Sequence, residues 1–115
     1  MIVGIQGSKQ FKNYNGLMQA MIFAMRSVVD QEAEVTVYSA GPANINAHVA
    51  EFCNVTERSL KARGIKIKFF NVPPSWIEKN FDSLDYMFFM ATKNEKRSKL
   101  IDLADKRGVD THVFF

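Results

Sequence analysis

A chain of 115 residues that is 47% hydrophobic and 23% charged has the size of one domain with its own core, spanning residues 1–115, and is too apolar for a disordered segment. No apolar run approaches the ~20 residues that span a bilayer, and the amino terminus enters a strand without the charged and apolar regions of a signal peptide. The single cysteine, Cys53, excludes an internal disulfide, and these features together predict a soluble, cytoplasmic protein.

In chain order, Ile2, Val3 and Ile5 form a β-branched run that stops at Gln6, Gly7, Ser8 and Lys9, which predicts a strand breaking into a small-residue turn. Leu17, Ala20, Met21, Ala24 and Val28 then recur at spacings of three and four, one face of a helix starting near Asn13 or Asn15. Val35, Val37 and Tyr38 make a second strand, ended by Ser39, Ala40, Gly41 and Pro42. Asn44 or Asn46 is placed to cap a second helix, whose stripe of Val49, Phe52, Cys53, Thr56 and Leu60 runs to Arg63 and ends at Gly64.

Ile65, Ile67, Phe69 and Phe70 predict a third strand, broken by Asn71 to Pro74. A short segment around Trp76 and Ile77 leads to a fourth, Tyr86 to Ala91, whose Tyr, Met and Phe content predicts burial on both faces. Thr92 to Asn94 turn into a helix marked by Leu100, Leu103 and Ala104. Gly108 ends it, and His112 to Phe115 supply a fifth strand. Strands alternating with helices predict an α/β fold, a three-layer sandwich with a five-stranded parallel sheet.

Every strand ends in small or polar residues, so Gly7 to Lys9, Ser39 to Asn46, Asn71 to Pro74 and Ala91 to Asn94 are expected along one edge of that sheet. In open α/β sheets ligands bind at the carboxyl edge, where loose backbone amides and helix amino termini converge.

The residues Gly7-Ser8-Lys9 after the first strand resemble the opening "GSR" element of the SLOG superfamily. That superfamily includes the LOG-type lysine-decarboxylase-like enzymes, DprA and the small YspA-like Rossmann proteins of bacteria and phages. Ala40 to Asn46 is similar to its Gly-Gly-Ala-x-Gly-Val-Asp turn, with Ala50 on the family's helix alanine. Gly64-Ile65 matches the approach to its third strand, and Pro74-Ser75-Trp76 stands where YspA-like proteins carry Ala-Asp-Trp. Asp85 precedes the fourth strand as the family's aspartate does. The resemblance implies a Rossmann-like sheet in the order 3-2-1-4-5, with Lys9 and Lys93 flanking its switch point.

Three departures bear on function. Lys9 replaces the usual arginine, a point charge in place of a bidentate fork. Asn44 and Asn46 replace a glycine and an aspartate. The Pro-Gly-Gly-x-Gly-Thr loop of LOG-type enzymes, with its following glutamate, has no counterpart at Ala91 to Lys96. The expectation is therefore a noncatalytic sensor or sequestering module for a nucleotide or nucleotide derivative, bound by Gly7, Ser8, Lys9, Gly41, Asn44, Asn46, Thr92 and Lys93, with Tyr14, Phe11 and Trp76 available to stack on a base.

No catalytic residue, cofactor or metal is implied: His48 and His112 belong to separate elements, Ser8 lacks a GxSxG context, and Glu95 reads as a first-turn helix glutamate. Two alternatives stay open. Basic groups at Arg58, Lys61, Arg63, Lys66 and Lys68 and at Lys93, Lys96, Arg97 and Lys99 allow nucleic-acid binding related to that of DprA. A nucleotide glycosidic-bond hydrolase would need Glu95 in the missing glutamate's role. Met87, Phe88, Phe89, Met90, Val113, Phe114 and Phe115 carry more apolar surface than a small domain readily covers, which predicts a homo-oligomer, most simply a dimer.

Overall fold

In a computed structural model, residues 1–25, 34–92 and 99–114 are described, except the side chain of Ala24. The chain runs β1 (Ile2–Gly7), α1 (Tyr14–Met25), β2 (Glu34–Ser39), α2 (Ala43–Lys61), β3 (Lys66–Asn71), α3 (Pro74–Lys79), a 3-10 turn at Phe81–Ser83, β4 (Tyr86–Met90), α4 (Lys99–Lys106) and β5 (Asp110–Phe114). All strands are parallel, in the order β3-β2-β1-β4-β5. This is a Rossmann-like α/β sheet whose order reverses between β1 and β4. No helix among the described residues is long and apolar enough to cross a membrane.

The alternation of strand side chains divides the core in two. Val3, Ile5, Val35, Val37, Phe88 and Met90 face α1 and α2 on one side. Met87 and Phe89 face Ile77 of α3, Phe81, and Leu100, Ile101 and Ala104 of α4 on the other. Crossovers of one hand explain the division, since steps from β1 toward β3 and from β3 back toward β5 deposit their helices on opposite faces.

Two helices end alike. Gly64 and Gly108 adopt φ of +78° and +74°, and the amides just after them, of Ile65 and Val109, reach back to the carbonyls of Leu60 and Ala104 at 2.9 and 3.0 Å. A left-handed residue after the last turn lets the chain reverse while satisfying carbonyls that the helix leaves open. At the other sheet edge, Asp85 Oδ2 accepts the Ile2 amide at 2.8 Å, which ties the start of β1 to β4.

Two expectations change here. α2 begins at Ala43 with Pro42 in the cap position and no side-chain cap, so Asn44 and Asn46 lie inside its first turn and are not its N-cap. Met87, Phe88, Phe89 and Met90 are 0 to 2% exposed, because β4 is a central strand covered on both faces; their apolar bulk requires no second subunit. Phe115 lies outside the described residues.

Candidate functional site

The carboxyl edge at the switch point is built from the turn after β1, the first turn of α2 and the end of β4. Gly7 sits where all three meet. A Cβ there would lie 2.8 Å from both Ile45 Cγ1 and Met90 Cβ, closer than real side chains approach, so only glycine lets β1 leave the sheet between α2 and β4. The Gly7 amide donates to the Gly41 carbonyl at 3.1 Å, and the Ser8 amide to the Met90 carbonyl at 2.8 Å.

Ser8 then folds the chain on itself. Its Oγ accepts the Gln10 amide at 3.0 Å and its carbonyl accepts the Phe11 amide at 3.2 Å, a local side-chain turn of the kind serine favours. Ser8 is buried, whereas Lys9 and Gln10 are exposed. Asn13 opens α1 by accepting the Gly16 amide on Oδ1 at 3.1 Å.

The second turn is held by both asparagines. Asn44 Nδ2 donates to the carbonyls of Ser8 and Phe11 at 3.2 and 3.3 Å. Asn46 Oδ1 accepts the Ser39 hydroxyl and the Gly41 amide, the latter at 2.9 Å. Gly41 has φ of +87° and precedes a cis bond to Pro42, and space around its missing Cβ is open. The polar atoms expected to meet a ligand at Ser8, Asn44 and Asn46 thus also bind the two turns to each other. Ser39, fully buried, belongs to this network, and the sequence reading does not single it out. Its signal was the period of two that it shares with the inward-facing Val35 and Val37.

Thr92 differs from these. It stands two residues beyond Met90, the acceptor of the Ser8 amide, and its Oγ1 is buried with no hydrogen-bond partner among the described residues. A buried hydroxyl without a partner is uncommon and calls for an explanation. The first turn of α2, which packs on Gly7 and binds the Ser8 carbonyl, offers the amides of Ala43, Asn44 and Ile45, which have no intrahelical acceptor in a first turn, and a partial positive charge from the helix dipole. Lys93 and Glu95, with Lys96 and Arg97, lie outside the described residues.

No family model matches the chain, and no curated protein matches its sequence.

The aromatic candidates separate. Phe11 is 2% exposed and belongs to the core beneath α1 and α2, a correction to its expected stacking role that follows from the tight turn at Ser8 pulling the loop inward. Tyr14 lies against His48, with ring centroids 3.5 Å apart, so this pair joins α1 to α2 at the rim. Trp76 lies tilted against Tyr38 with centroids 4.2 Å apart, and Tyr38 stacks on Phe70 at 5.6 Å, forming a three-ring row over the opposite face of β2 and β3.

Among the described residues no three metal-ligating side chains come together. Cys53 is buried, and burial pushes its thiol up to about 11; a thiol so desolvated stays protonated and unreactive at neutral pH. The first basic group is split. Arg58 and Lys61 close α2, whereas Lys66 and Lys68 alternate with the core-facing Ile67 and Phe69 and so project from the other side of the sheet. Lys68 Nζ is 2.8 Å from Glu34 Oε1, and this partner holds the Glu34 carboxyl below its usual value.

Proposed function

We propose that this chain is a noncatalytic nucleotide-binding module of SLOG type, which holds the phosphate-bearing part of a nucleotide or nucleotide derivative at the carboxyl edge between β1 and β4. The observation that carries the reading is the buried Thr92 Oγ1 at the switch point, which has no hydrogen-bond partner among the described residues. A phosphate oxygen there would accept its proton, while the opening amides of α2 and the exposed Lys9 supply further donors and positive charge. Gly7 contributes by letting β1 pass close to Ile45 and Met90, and Gly41 by its positive φ, and together they shape the two turns that border the site.

Calorimetric titration with nucleoside monophosphates, cyclic nucleotides and ADP-ribose tests the reading. Binding of one of these, weakened about tenfold by Thr92→Val through loss of one hydrogen bond to a charged group, is the expected result. Absence of heat with all of them at millimolar concentration would defeat it.

A second reading, nucleic-acid binding, is favoured by a different observation. The face of β2 and β3 away from α2 carries Thr36, Tyr38, Lys66, Lys68 and Phe70, and Phe70 is 46% exposed at the end of the three-ring row. Aromatic rings beside lysines on a sheet face suit the stacking of single-stranded bases. Glu34 offsets one of the two lysine charges, which is why this reading ranks second. It predicts retardation of single-stranded DNA at low salt, relieved by Phe70→Ala; no retardation rejects it.

A further inference from the structure

β3 closes one side of the sheet, and its backbone is half used. The Val72 amide donates to the Ser39 carbonyl of β2 at 3.0 Å, and the register runs unbroken from Glu34↔Lys66 to Ser39↔Asn71. Alternate residues of a paired strand turn their backbone groups to opposite neighbours. Lys66, Lys68 and Phe70 therefore bond toward β2, while Ile67, Phe69 and Asn71 turn theirs outward, where no strand lies among the described residues.

Both sides of this edge offer contacts to an added strand. On the α2 side a groove of about 240 Å³ runs between helix and strand, with apolar walls from Ala50, Cys53, Ile67 and Phe69. It adjoins a hollow lined by Arg58 and Lys61, and Asn54 and Glu57 border both. On the other side of the sheet project Lys66, Lys68 and the exposed Phe70. Glu34 takes up Lys68 at 2.8 Å, whereas Arg58, Lys61 and Lys66 make no ion pair among the described residues. The cations thus gather beside the amino half of β3 on both faces, and the rings of Phe69 and Phe70 beside its carboxyl half.

We propose that β3 takes up an extended acidic segment of a partner protein as a sixth strand. Side chains of a strand point alternately to the two faces of its sheet, so the basic group that the sheet divides lies along one path for a strand on this edge. A nucleic acid on either face meets only part of it. Charge also decides against a second copy: its own β3 would set lysine against lysine, which disfavours pairing. Acidic side chains in the same places meet Arg58, Lys61 and Lys66, with Glu57 opposed. The outward amides and carbonyls of Ile67, Phe69 and Asn71 add the main-chain bonds that hold such a segment. The switch point between β1 and β4 takes no part, so this contact stands or falls apart from ligand binding.

Fluorescence anisotropy with labelled peptides of about eight residues, enough to cover β3, provides the test. One half of each peptide is Glu and Asp and the other half Val and Thr, in both orders. Binding of one order is expected, with none by a peptide carrying lysine in place of the acids. Lys66→Glu and Arg58→Glu, on opposite faces of the sheet, should each weaken binding by about tenfold; both residues are exposed, so the variants should keep the wild-type circular dichroism. Lys106→Glu, the same change of charge on α4, should leave binding unchanged. Two versions of the binding peptide, N-methylated at odd or at even positions, separate strand addition from charge alone: only alternate amides face β3, so one version should lose binding and the other keep it. Equal binding by those two versions, binding of the lysine peptide as tight as that of the acidic one, equal weakening by Lys106→Glu, or no binding of either acidic peptide at millimolar concentration, whether or not single-stranded DNA is held, would overturn the proposal.

Discussion

The amide of Asn44 donates to the carbonyl of Ser8 across 36 positions of sequence, at 3.2 Å, and reaches the carbonyl of Phe11 as well. One side chain in the first turn of α2 therefore fixes the loop that leaves β1, and the shape of the switch point depends on it. Replacement Asn44→Ala leaves two carbonyls to find other donors and is expected to lower stability by about 1–2 kcal/mol. Urea denaturation measures this directly; a midpoint equal to that of the wild type would show that the contact holds nothing.

Asn46 makes a sharper case, because it uses only its oxygen toward Ser39 and Gly41. Asn46→Asp keeps that acceptor and should fold with near wild-type stability. Asn46→Ala strands the fully buried Ser39 hydroxyl and the Gly41 amide, at a cost of about 2 kcal/mol or more. Equal loss in both variants would mean that the amide nitrogen, not the oxygen, matters.

Much of the fold was legible in the sequence, and the reasons are specific. The β-branched runs at Ile2 to Ile5 and Val35 to Val37 and the stripe from Val49 to Leu60 record burial directly, and Gly64 and Gly108 announce helix ends because few other residues adopt their backbone angles. The start of α2 was misjudged since Asn44 and Asn46 are common caps; Pro42, with its fixed φ and no amide to satisfy, let the helix begin earlier. The exposed flank of α1, at Met18, Ile22 and Phe23, was hidden for another reason. These residues are as apolar as Leu17 and Met21, and composition alone does not tell which side of such a helix meets the sheet.

Gly7 supplies a test of packing. A methyl group at this position would press on Ile45 and on Met90 Cβ, both in the core, and neither can turn away without opening it. Gly7→Ala is expected to destabilise by about 1–3 kcal/mol. Thermal unfolding that matches the wild type would show that β1 and α2 separate more easily than their contact suggests.

Cys53 yields a pH prediction. Its thiol is raised by burial from 9.0 to about 11, so on raising the pH the unfolded chain loses this proton before the folded one does. The contribution is fully present below pH 9.0 and is lost as the pH climbs through about 11. Comparing wild type with Cys53→Ala on either side of that window isolates it: the gap between them should narrow at the alkaline end. A gap independent of pH would contradict a buried, protonated thiol.

The central claim concerns where a nucleotide sits, and titration of the isotope-labelled chain with AMP and ADP-ribose, followed by amide NMR, addresses it most directly. The account predicts shifts concentrated at Ser8, Lys9, Gly41, Asn44, Ile45 and Thr92, with the Lys66 and Phe70 amides unmoved, and weaker shifts in Thr92→Val. Shifts confined to Lys66, Lys68 and Phe70, or no shifts at millimolar ligand, would contradict it.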